Sequence, residues 1–397
     1  MARVVHTIHP RGFLSFGPDT EPLALRDLNV LIGPNGCGKS NLVEALDVLR
    51  AAPGDLPVPI RAGGAVRDWL WRGRSGQRAD TSTLELVFSP GVIAKGRSGG
   101  PAVRYRLAFG EEGNRFTVLD ERIENAEPAA GQEKPSFYFG YEGGVPMLSR
   151  AEQSRRLRRE DIDSTQSILS QRRDPEFYPE LARLSDVLSA VFIYRSWSFG
   201  PNAPVRRASA LDQRSDRLLE DFSNLPVRVA KLKGEPQLKA RLVELVRQVA
   251  EGFTDIEVIP DGGLLQLYLT EGANNFPARR LSDGTLRMLC LGAILLQPPQ
   301  DAILVIEEPE LGLHPDLIPV LRDLLLEASE RAQIVVTTHS TVLADTFTEH
   351  ADCVLVCEKP ADQTFMTRLD QDEVDRFRED GTLSDVWMSG RLGGTRW

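Results

Sequence analysis

The stretch LNVLIGPNGCGKSNLVEALDVLR, residues 28–50, decides the fold of this chain. It opens with a short apolar run that ends in Gly33, and apolar residues at helical spacing follow Lys39. This pattern predicts a strand, a loop and a helix. The segment GPNGCGKS at 33–40 matches G-x-x-x-x-G-K-[ST] at every fixed position within that context. We therefore predict a phosphate-binding loop; a glycine-rich turn formed by chance is the alternative.

The residue types in this loop suit a nucleotide phosphate. Glycines let backbone N–H groups point inward, and the helix N-terminus adds its positive dipole end. Lys39 reaches the β and γ phosphates, and Ser40 offers a hydroxyl to Mg²⁺. The sequence therefore predicts that ATP and Mg²⁺ bind here. The residues predicted to hold ATP are Gly33, Pro34, Asn35, Gly36, Cys37, Gly38, Lys39, Ser40 and Asn41.

Two carboxylates follow a second apolar run, AILVI at 302–306. Ligands of open α/β sheets gather at the carboxyl ends of the strands, so both side chains are expected near the phosphate loop. We predict that Glu307 holds Mg²⁺, directly or through water. We predict that Glu308 orients or deprotonates the water that attacks the γ-phosphate. An acidic turn after an ordinary strand is the alternative.

A histidine ends a third apolar run, IVVTTHS at 334–340. His339 would lie at the same edge of the sheet and contact the γ-phosphate, which makes it the second predicted catalytic residue. A polar residue that simply caps a strand end is the alternative interpretation.

Composition and charge describe an ordinary globular protein. The 397 residues are 41% hydrophobic and 26% charged, and the net charge of −10 argues against a surface coated in basic residues. The four cysteines lack paired CxxC spacing, so we expect reduced thiols and no zinc site. The N-terminus has no apolar leader region and no run is long enough to span a membrane. We therefore expect a cytoplasmic protein without a membrane partner.

The order of apolar patterns predicts an α/β fold. After LLQLYLT at 264–270, helical and strand-like runs alternate, which favours a mainly parallel sheet flanked by helices. Alternating runs between about 83 and 143 predict an antiparallel β side lobe. From about 150 to 250 the pattern is helical, interrupted by the strand-like AVFIYR. The alternating runs are predicted as helix 282–297, strand 302–306, helix 315–331, strand 334–338, helix 341–347 and strand 353–358.

These patterns predict one head assembled from both ends of the chain, with lobes inserted between them. The predicted segments are 1–82 (N-terminal part of the head, with the phosphate loop), 83–150 (antiparallel β lobe), 151–262 (inserted helical lobe), 263–358 (C-terminal part of the head) and 359–397 (acidic capping tail).

The segment Leu281-Ser282-Asp283-Gly284-Thr285 opens a predicted helix and resembles the LSGGQ signature of ABC ATPases. Alone it is also an ordinary helix start with a serine cap. The order of phosphate loop, signature, acidic strand end and His339 is that of ABC-type heads. The resemblance implies a head-to-tail homodimer, in which ATP lies between the phosphate loop of one chain and Ser282 and Gly284 of the other.

Three further segments refine the resemblance: GFLSFG at 12–17, EEPELGLHP at 307–315 and TTHS at 337–340. They look like the AAA-type ATPases related to RecF, SMC and overcoming-lysogenization-defect proteins. The interval between phosphate loop and signature is far longer than in a transporter subunit. No cluster of acids typical of a Toprim nuclease follows His339, and no sustained heptads occur. The chain therefore resembles RecF most, and we expect no nuclease in it.

The chain departs from this pattern at three positions. Leu14 stands where many relatives have a basic residue, so a contact on the phosphate side is in question. Glu307 stands where aspartate is commoner in the wider superfamily. No motif identifies the glutamine that usually links the metal to the insert, and Gln77 is a weak candidate. His314, in the loop after Glu308, is expected to serve the interface or support the site, not to ligate a metal.

Two arginine clusters are candidates for contact with nucleic acid. The first contains Arg150, Arg155, Arg156, Arg158 and Arg159, followed by Arg172 and Arg173. It would touch phosphate backbone or, because acids interleave with it, form a solvated helix face. The second contains Arg61, Arg67, Arg72, Arg74 and Arg78 beside Trp69 and Trp71. Its aromatic side chains would stack on bases or pack the lobe.

Three functions remain open at this stage. The first is a DNA-associated ATPase in repair or in defence against foreign DNA. The second is a regulatory ATPase that controls a separately encoded effector protein, and the third is a transporter subunit. The sequence ranks them in that order.

Overall fold

The computed structural model describes residues 3–74, 76–94, 99–150, 153–360, 362–376 and 382–390. The strands are β1 Val5–Arg11, β2 Leu23–Ala24, β3 Leu28–Ile32, β4 Thr81–Phe88, β5 Val103–Glu112, β6 Arg115–Asn125, β7 Phe137–Glu142, β8 Val145–Arg150, β9 Gln153–Arg156, β10 Val191–Tyr194, β11 Ser209–Ala210, β12 Phe253–Asp261, β13 Leu264–Glu271, β14 Asn274–Pro277, β15 Ile303–Glu307, β16 Gln333–Thr337, β17 Val354–Glu358 and β18 Phe365–Arg368.

The α-helices are α1 Lys39–Ala51, α2 Pro57–Ala62, α3 Val66–Trp69, α4 Ile168–Gln171, α5 Pro179–Ser189, α6 Leu225–Lys233, α7 Pro236–Val249, α8 Asp283–Leu295, α9 Ile318–Ser329, α10 Thr341–Asp345, α11 Gln371–Arg376 and α12 Leu383–Met388. Within the described residues, no helix is both long and apolar enough to cross a membrane.

A six-stranded sheet of order β10-β15-β16-β3-β17-β18 forms the centre of the molecule. Its pairings are parallel except that of β18 with β17. Successive side chains of a strand point to opposite faces, so Val30 and Leu304 enter one core and Leu31 and Val305 the other. Helices α6–α9 cover the first face; α1, α5 and the antiparallel sheet cover the second. Burial on both faces explains why these strands read as continuous apolar runs.

An eight-stranded antiparallel sheet lies beyond α1, in the order β2-β1-β4-β5-β6-β7-β8-β9. Alternate residues such as Leu84, Leu86 and Phe88 of β4 are buried in the core that α1 shares. A smaller antiparallel sheet of order β11-β13-β12, with β14 paired to β13, packs against α6 and α7 on the other side. The predicted fold class, a mainly parallel ATPase-type head with an antiparallel lobe and inserted helices, is confirmed.

The helical prediction is wrong immediately after residue 150. Gln153–Arg156 form β9, which pairs antiparallel with β8 and closes the edge of the eight-stranded sheet. A charged edge strand carries little apolar periodicity of its own, and its identity depends on the partner strand. The predicted acidic tail, 359–397, contains β18, α11 and α12 among its described residues.

Strand pairings cross the predicted segment boundaries. β1 pairs with β4 of the β lobe, and β10, within 151–262, pairs in parallel with β15 of the head. The boundary at 262–263 falls in the turn that joins β12 to β13. The division into five domains stays a prediction, because pairing in a sheet does not establish which segments fold as units.

Candidate nucleotide site

The candidate site lies where three neighbouring parallel strands end. β16 lies between β3 and β15, so the segments that follow these strands emerge side by side. The loop at 33–38 follows β3, Glu308 follows β15, and Thr338-His339 follow β16. The sheet order therefore brings the three predicted motifs to one edge, as the carboxyl ends of parallel strands require.

Two glycines of the loop are required by the packing of the chain itself. A Cβ on Gly33 would lie 2.2 Å from the carbonyl oxygen of Cys357, and the φ of 149° is one that other residues rarely adopt. A Cβ on Gly38 would lie 2.1 Å from Oγ1 of Thr364 and 2.7 Å from Oγ of Ser15. The backbone of the loop is therefore pressed against β17 and the segments beside it.

A hydroxyl network holds the loop from behind. Thr364 Oγ1 donates to Cys37 O (2.7 Å) and lies 2.6 Å from Ser15 Oγ. Asn41 Nδ2 donates to the same Ser15 oxygen at 2.6 Å. Ser15 and Thr364 were not predicted as site residues, because contacts so distant along the chain leave no local pattern. The serine within GFLSFG is the one signal that was available.

The Lys39 side chain is buried inside the loop, with 4% of its surface exposed. Its ammonium donates to Gly33 O at 2.6 Å and to Pro34 O at 3.1 Å, and lies 3.3 Å from His339 Nδ1. Burial lowers the pKa of Lys39, since the charged form loses hydration. The loop carbonyls hold this charge at the point where the three strand ends meet.

Ser40 and Glu307 supply two oxygen donors at the mouth of the loop. The Ser40 hydroxyl interacts with the Glu307 carboxylate. Burial raises the pKa of Glu307, whereas the Ser40 hydrogen bond and the Arg195 guanidinium act in the opposite direction. Among the described residues, no group of three or more His, Cys, Asp or Glu side chains forms a metal cage. A hydroxyl and a carboxylate nevertheless fit Mg²⁺, which commonly takes one or two protein ligands alongside substrate phosphates.

Glu308 turns away from its strand in a strained conformation. Its φ of 47° is in the left-handed region, and its backbone N–H donates to Thr337 O at 2.9 Å. Non-glycine residues in this region cost about 1–3 kcal/mol and cluster at functional sites. The turn places the carboxylate, 34% exposed, with Oε1 3.4 Å from His339 Nε2. The predicted motif at His339 therefore lies beside the predicted motif at Glu308.

His339 connects Lys39 with Glu308. A lysine ammonium can only donate, so Nδ1 of His339 accepts from Lys39 and the ring proton lies on Nε2, toward Glu308. Burial, followed by the nearby Lys39 charge, lowers the pKa of His339. The imidazole is therefore neutral at pH 7.

Further side chains behind this edge were not predicted. Trp197 donates its indole N–H to Glu307 O (2.7 Å), and the Arg287 guanidinium lies 4.8 Å from the Trp197 ring. Arg287 also donates to Glu308 O at 3.3 Å, which connects α8 to the acidic strand end. The carboxylate of Glu310, 7% exposed, accepts from the Thr338 hydroxyl. Aromatic and arginine side chains at these positions resemble ordinary core and surface residues in the sequence.

The signature segment has a different environment. Ser282 caps α8 by accepting from Thr285 N at 3.1 Å, and its hydroxyl lies 2.8 Å from Thr285 Oγ1. A Cβ on Gly284 would meet nothing closer than Gly312 O at 3.5 Å, an ordinary contact. In the described part of the chain, these contacts involve no residue of the phosphate loop. Ser282 and the loop from Leu311 to Gly312 are exposed.

Three further positions that the resemblance singled out lie as follows. Leu14 occupies a tight turn with φ 49° and donates its N–H to Trp69 O at 2.8 Å. Gln77 is exposed in the turn that its carbonyl closes with the N–H of Gly73 (2.9 Å). His314 is 72% exposed and pairs with Asp316 at 3.2 Å. The structure does not bring Gln77 to Ser40 or Glu307 by any described contact.

The first arginine cluster divides in two. Arg155, Arg156 and Arg158 are exposed on and beside the edge strand β9, which is not the helix face that was expected. Arg172 donates to backbone carbonyls, Gln171 O (2.9 Å) among them, and Arg173 donates to Pro53 O. The side chains of two members lie outside the described part: Arg150 and Arg159.

The aromatic residues of the second cluster are core residues. Trp69 and Trp71 are 4% and 5% exposed, and their indoles donate to Ile60 O (3.1 Å) and Asp362 O (3.2 Å). Stacking on bases is therefore the wrong alternative for these rings, and packing of the lobe is what the structure shows.

Comparisons with known proteins agree with this architecture. The family model described as "AAA domain, putative AbiEii toxin, Type IV TA system" matches residues 28–345. The chromosome partition protein Smc of Methylococcus capsulatus is 37% identical over 97 residues, 24% of this chain and 8% of that protein. The Smc protein of Thauera aminoaromatica is 33% identical over 95 residues, 24% of this chain and 7% of that protein. The chain thus aligns with a small fraction of either relative's length.

Solved SMC heads share the fold. An SMC head bound to the C-winged helix domain of ScpA superposes with a TM-score of 0.59 and 14% identity, covering 94% of this chain and 99% of that one. The Smc head of Pyrococcus furiosus, with an extended coiled coil and bound to the C-terminal domain of ScpA, gives a TM-score of 0.56 and 14% identity, covering 95% and 99%. The chain therefore has the fold of these SMC heads.

Proposed function

We propose that the chain binds ATP with Mg²⁺ and hydrolyses it. The chain belongs to the AAA-domain family, whose model matches residues 28–345. One observation supports this most: His339 lies 3.3 Å from Lys39 of the phosphate loop and 3.4 Å from Glu308 of the acidic strand end. Three motifs far apart in the sequence thus form one contiguous polar group. A phosphate-binding residue beside a carboxylate is the arrangement that phosphoryl transfer to water requires.

Each residue of this group has a chemical task. The loop N–H groups and Lys39 hold the β and γ phosphates, and the Glu308 carboxylate accepts a proton from the attacking water. Neutral His339 presents its Nε2–H toward Glu308 and fixes the direction of that carboxylate. Ser40 and Glu307 would hold Mg²⁺, which, when bound, neutralises charge on the phosphate oxygens. Closure of the site against water would strengthen each of these interactions.

The second half of the proposed site comes from another copy of the chain. Among the described residues, no neighbour of Gly284 lies close enough to exclude a Cβ, and Ser282 is exposed beside it. Glycine in the first turn of a helix costs stability, so a use outside the chain explains it. We propose a head-to-tail homodimer in which Ser282 and Gly284 cover the ATP held by the partner's phosphate loop.

The test compares wild type with Glu308→Gln for ATP turnover and for mass in solution. We expect the variant to lose about two to four orders of magnitude in turnover, since the general base is gone, and to accumulate as an ATP-bound dimer. Glu330→Gln, which alters an exposed glutamate, is the matched control and should resemble wild type. Normal hydrolysis by Glu308→Gln, or a mass that ATP never changes, would contradict the proposal.

We further propose that the ATP cycle serves a DNA-associated process such as repair or defence against foreign DNA. The similarity to chromosome partition proteins supports this, as do the exposed arginines Arg155, Arg156 and Arg158 on one sheet edge. Replacing these three by alanine should weaken binding to duplex DNA and reduce its salt dependence. A control variant with Arg214, Arg241 and Arg331 replaced should not. If a filter-binding assay with ATP shows no salt-dependent retention of duplex DNA by the protein, the DNA proposal is wrong.

A second candidate is a regulatory ATPase that acts on a separate effector protein. The family description refers to a toxin–antitoxin system, and one similar SMC head is bound to a domain of ScpA. A partner that binds wild type and Glu308→Gln differently, in the absence of DNA, would favour this candidate over the first.

A further inference from the structure

Two cysteines meet at the phosphate loop. Cys37 lies within the loop, and Cys357 lies in β17, which pairs in parallel with β3 directly before the loop. The Cys357 thiol donates to Cys37 O at 3.3 Å, and its interaction with the Cys37 side chain lowers the pKa of Cys37. Their exposed fractions are 2% and 0%. The pairing of β17 with β3 therefore places Cys357 directly beside the loop that carries Cys37.

The surroundings give the two thiols different pKa values. The Lys39 ammonium lies 3.7 Å from Cys37 Sγ. The hydrogen bond from Cys357, assisted by this charge, lowers the pKa of Cys37 to about 6. The pKa of Cys357 is raised by the same hydrogen bond and by burial. Because the Lys39 ammonium lies beside Cys37 Sγ and the Cys357 thiol acts as a donor, Cys37 is the thiol that ionises to the thiolate, the form that reacts with oxidants.

A cleft open to solvent borders Cys37. Cys37 contributes to the wall of an open cleft of 460 Å³ together with Pro34, Asn35 and Gly36 of the loop. The other two cysteines have a different setting. Cys290 is fully buried and Cys353 lies beside Asp352, and the pKa of each thiol is raised by desolvation. Cys37 alone among the four combines a lowered pKa, a cleft and a second thiol in contact.

We propose that Cys37 and Cys357 form an oxidation site for peroxides, at which a reversible disulfide closes the phosphate loop. The proposed effect on ATP binding rests on the nucleotide-binding function proposed above. The formation of the disulfide does not depend on that function.

The chemistry balances with hydrogen peroxide as the oxidant. The Cys37 thiolate attacks one peroxide oxygen, an S–O bond forms, the O–O bond breaks, and the released hydroxide takes a proton to give water. The Cys357 sulfur then attacks the sulfenic sulfur; its thiol proton and the departing hydroxyl leave as a second water. Two thiols lose two electrons in total, and one peroxide gains them. Each residue thus supplies one sulfur of the disulfide.

The disulfide would change the loop that holds phosphate. The two sulfur atoms must approach to about 2.0 Å to form a disulfide. Because β17 is fixed in the sheet, the loop at Cys37 is the part that moves. That movement disturbs the hydrogen bond from Thr364 to Cys37 O and removes the thiolate beside Lys39. The N–H groups of the loop would then no longer converge on a phosphate.

The test treats the full-length protein with hydrogen peroxide and identifies disulfide-linked peptides by fragmentation mass spectrometry. We expect a Cys37–Cys357 link in wild type and in Cys353→Ser, and none in Cys357→Ser. Cys353→Ser is the matched control because Cys353 lies four residues away on the same peptide. Absence of the Cys37–Cys357 link in wild type would overturn the proposal, whatever the protein's ATPase activity.

ATP turnover and binding of a fluorescent ATP analogue test whether the disulfide closes the phosphate loop. Reduced Cys357→Ser should match reduced wild type. After peroxide, wild type should lose at least tenfold in analogue affinity and regain it with dithiothreitol, and Cys357→Ser should keep most of its affinity. If Cys357→Ser loses as much analogue affinity after peroxide as wild type does, the disulfide is not what closes the phosphate loop. If the reduced protein hydrolyses no ATP, the proposed function fails, and the mass spectrum still decides whether the oxidation site exists.

Discussion

The phosphate loop and the signature segment both contain glycine at a fixed place, but for different physical reasons. In the loop, a Cβ on Gly33 would lie 2.2 Å from a carbonyl of β17, so the chain itself excludes a side chain. At the signature, a Cβ on Gly284 would lie 3.5 Å from its nearest described neighbour, so nothing in the described part of the chain excludes one. The first glycine is explained by the fold, and the second is not.

This difference indicates where the proposed site is incomplete. A glycine that helix propensity disfavours and that no intrachain contact requires is explained by an external surface. The exposed segment Leu311–Gly312 adjoins it, which makes the start of α8 and the loop after Glu308 one continuous surface. The phosphate loop, by contrast, is supported from behind by Ser15 and Thr364.

Gly33→Ala should have the largest effect. The new methyl group meets the backbone of β17 and requires a φ of 149°, so we expect a loss of about 3 kcal/mol in the free energy of unfolding. Binding of ATP should be lost as well. Urea denaturation and a fluorescent ATP analogue measure the two effects. Unchanged stability would show that the loop is not held by its own chain.

Gly284→Gln should separate folding from activity. Glutamine is a better helix former, so the free energy of unfolding should stay level or rise by about 0.5–1 kcal/mol. Turnover should fall at least tenfold, because the side chain obstructs the partner surface. Urea denaturation and steady-state hydrolysis measure these effects, and Gly284→Ala is the conservative control. Full ATP turnover in Gly284→Gln would show that Gly284 is not needed for contact with another copy of the chain.

His339→Gln should have a smaller, pH-dependent effect. The pKa of His339 is lowered by burial and by Lys39, so the unfolded chain binds its proton more readily than the folded one. Stability from this group is therefore present above pH 6.5 and is lost as pH falls below it. Without nucleotide, wild type should lose stability more steeply than His339→Gln in that range. Parallel profiles of unfolding free energy against pH would contradict this environment for His339.

The sequence was sufficient for the central sheet and for the order of motifs along it. GPNGCGKS, the apolar run before Glu307 and the run before His339 are local patterns, and parallel strands bring their ends together. The roles of Ser282, Gly284, Glu307 and Glu308 stay predictions. The fold and the family are the parts that the structure and the comparisons support directly.

The missed features depend on contacts that are distant in the chain. Thr364 reaches Cys37 because β17 and β18 form a hairpin beside β3, and the local sequence of either segment carries no sign of the other. The edge strand at Gln153–Arg156 was mistaken for helix because its charges obscure the alternation of a strand. Trp69 and Trp71 were candidates for base stacking, since burial cannot be read from residue type.

The most direct test of a shared site mixes two inactive variants. Lys39→Ala lacks a functional phosphate loop but keeps the signature, and Gly284→Gln has the opposite defect. Each alone should hydrolyse little ATP. Their 1:1 mixture should recover about a quarter of wild-type turnover, because half of randomly paired dimers are mixed and each of these holds one complete site. A mixture no more active than its two components, with both variants folded, would contradict the shared site.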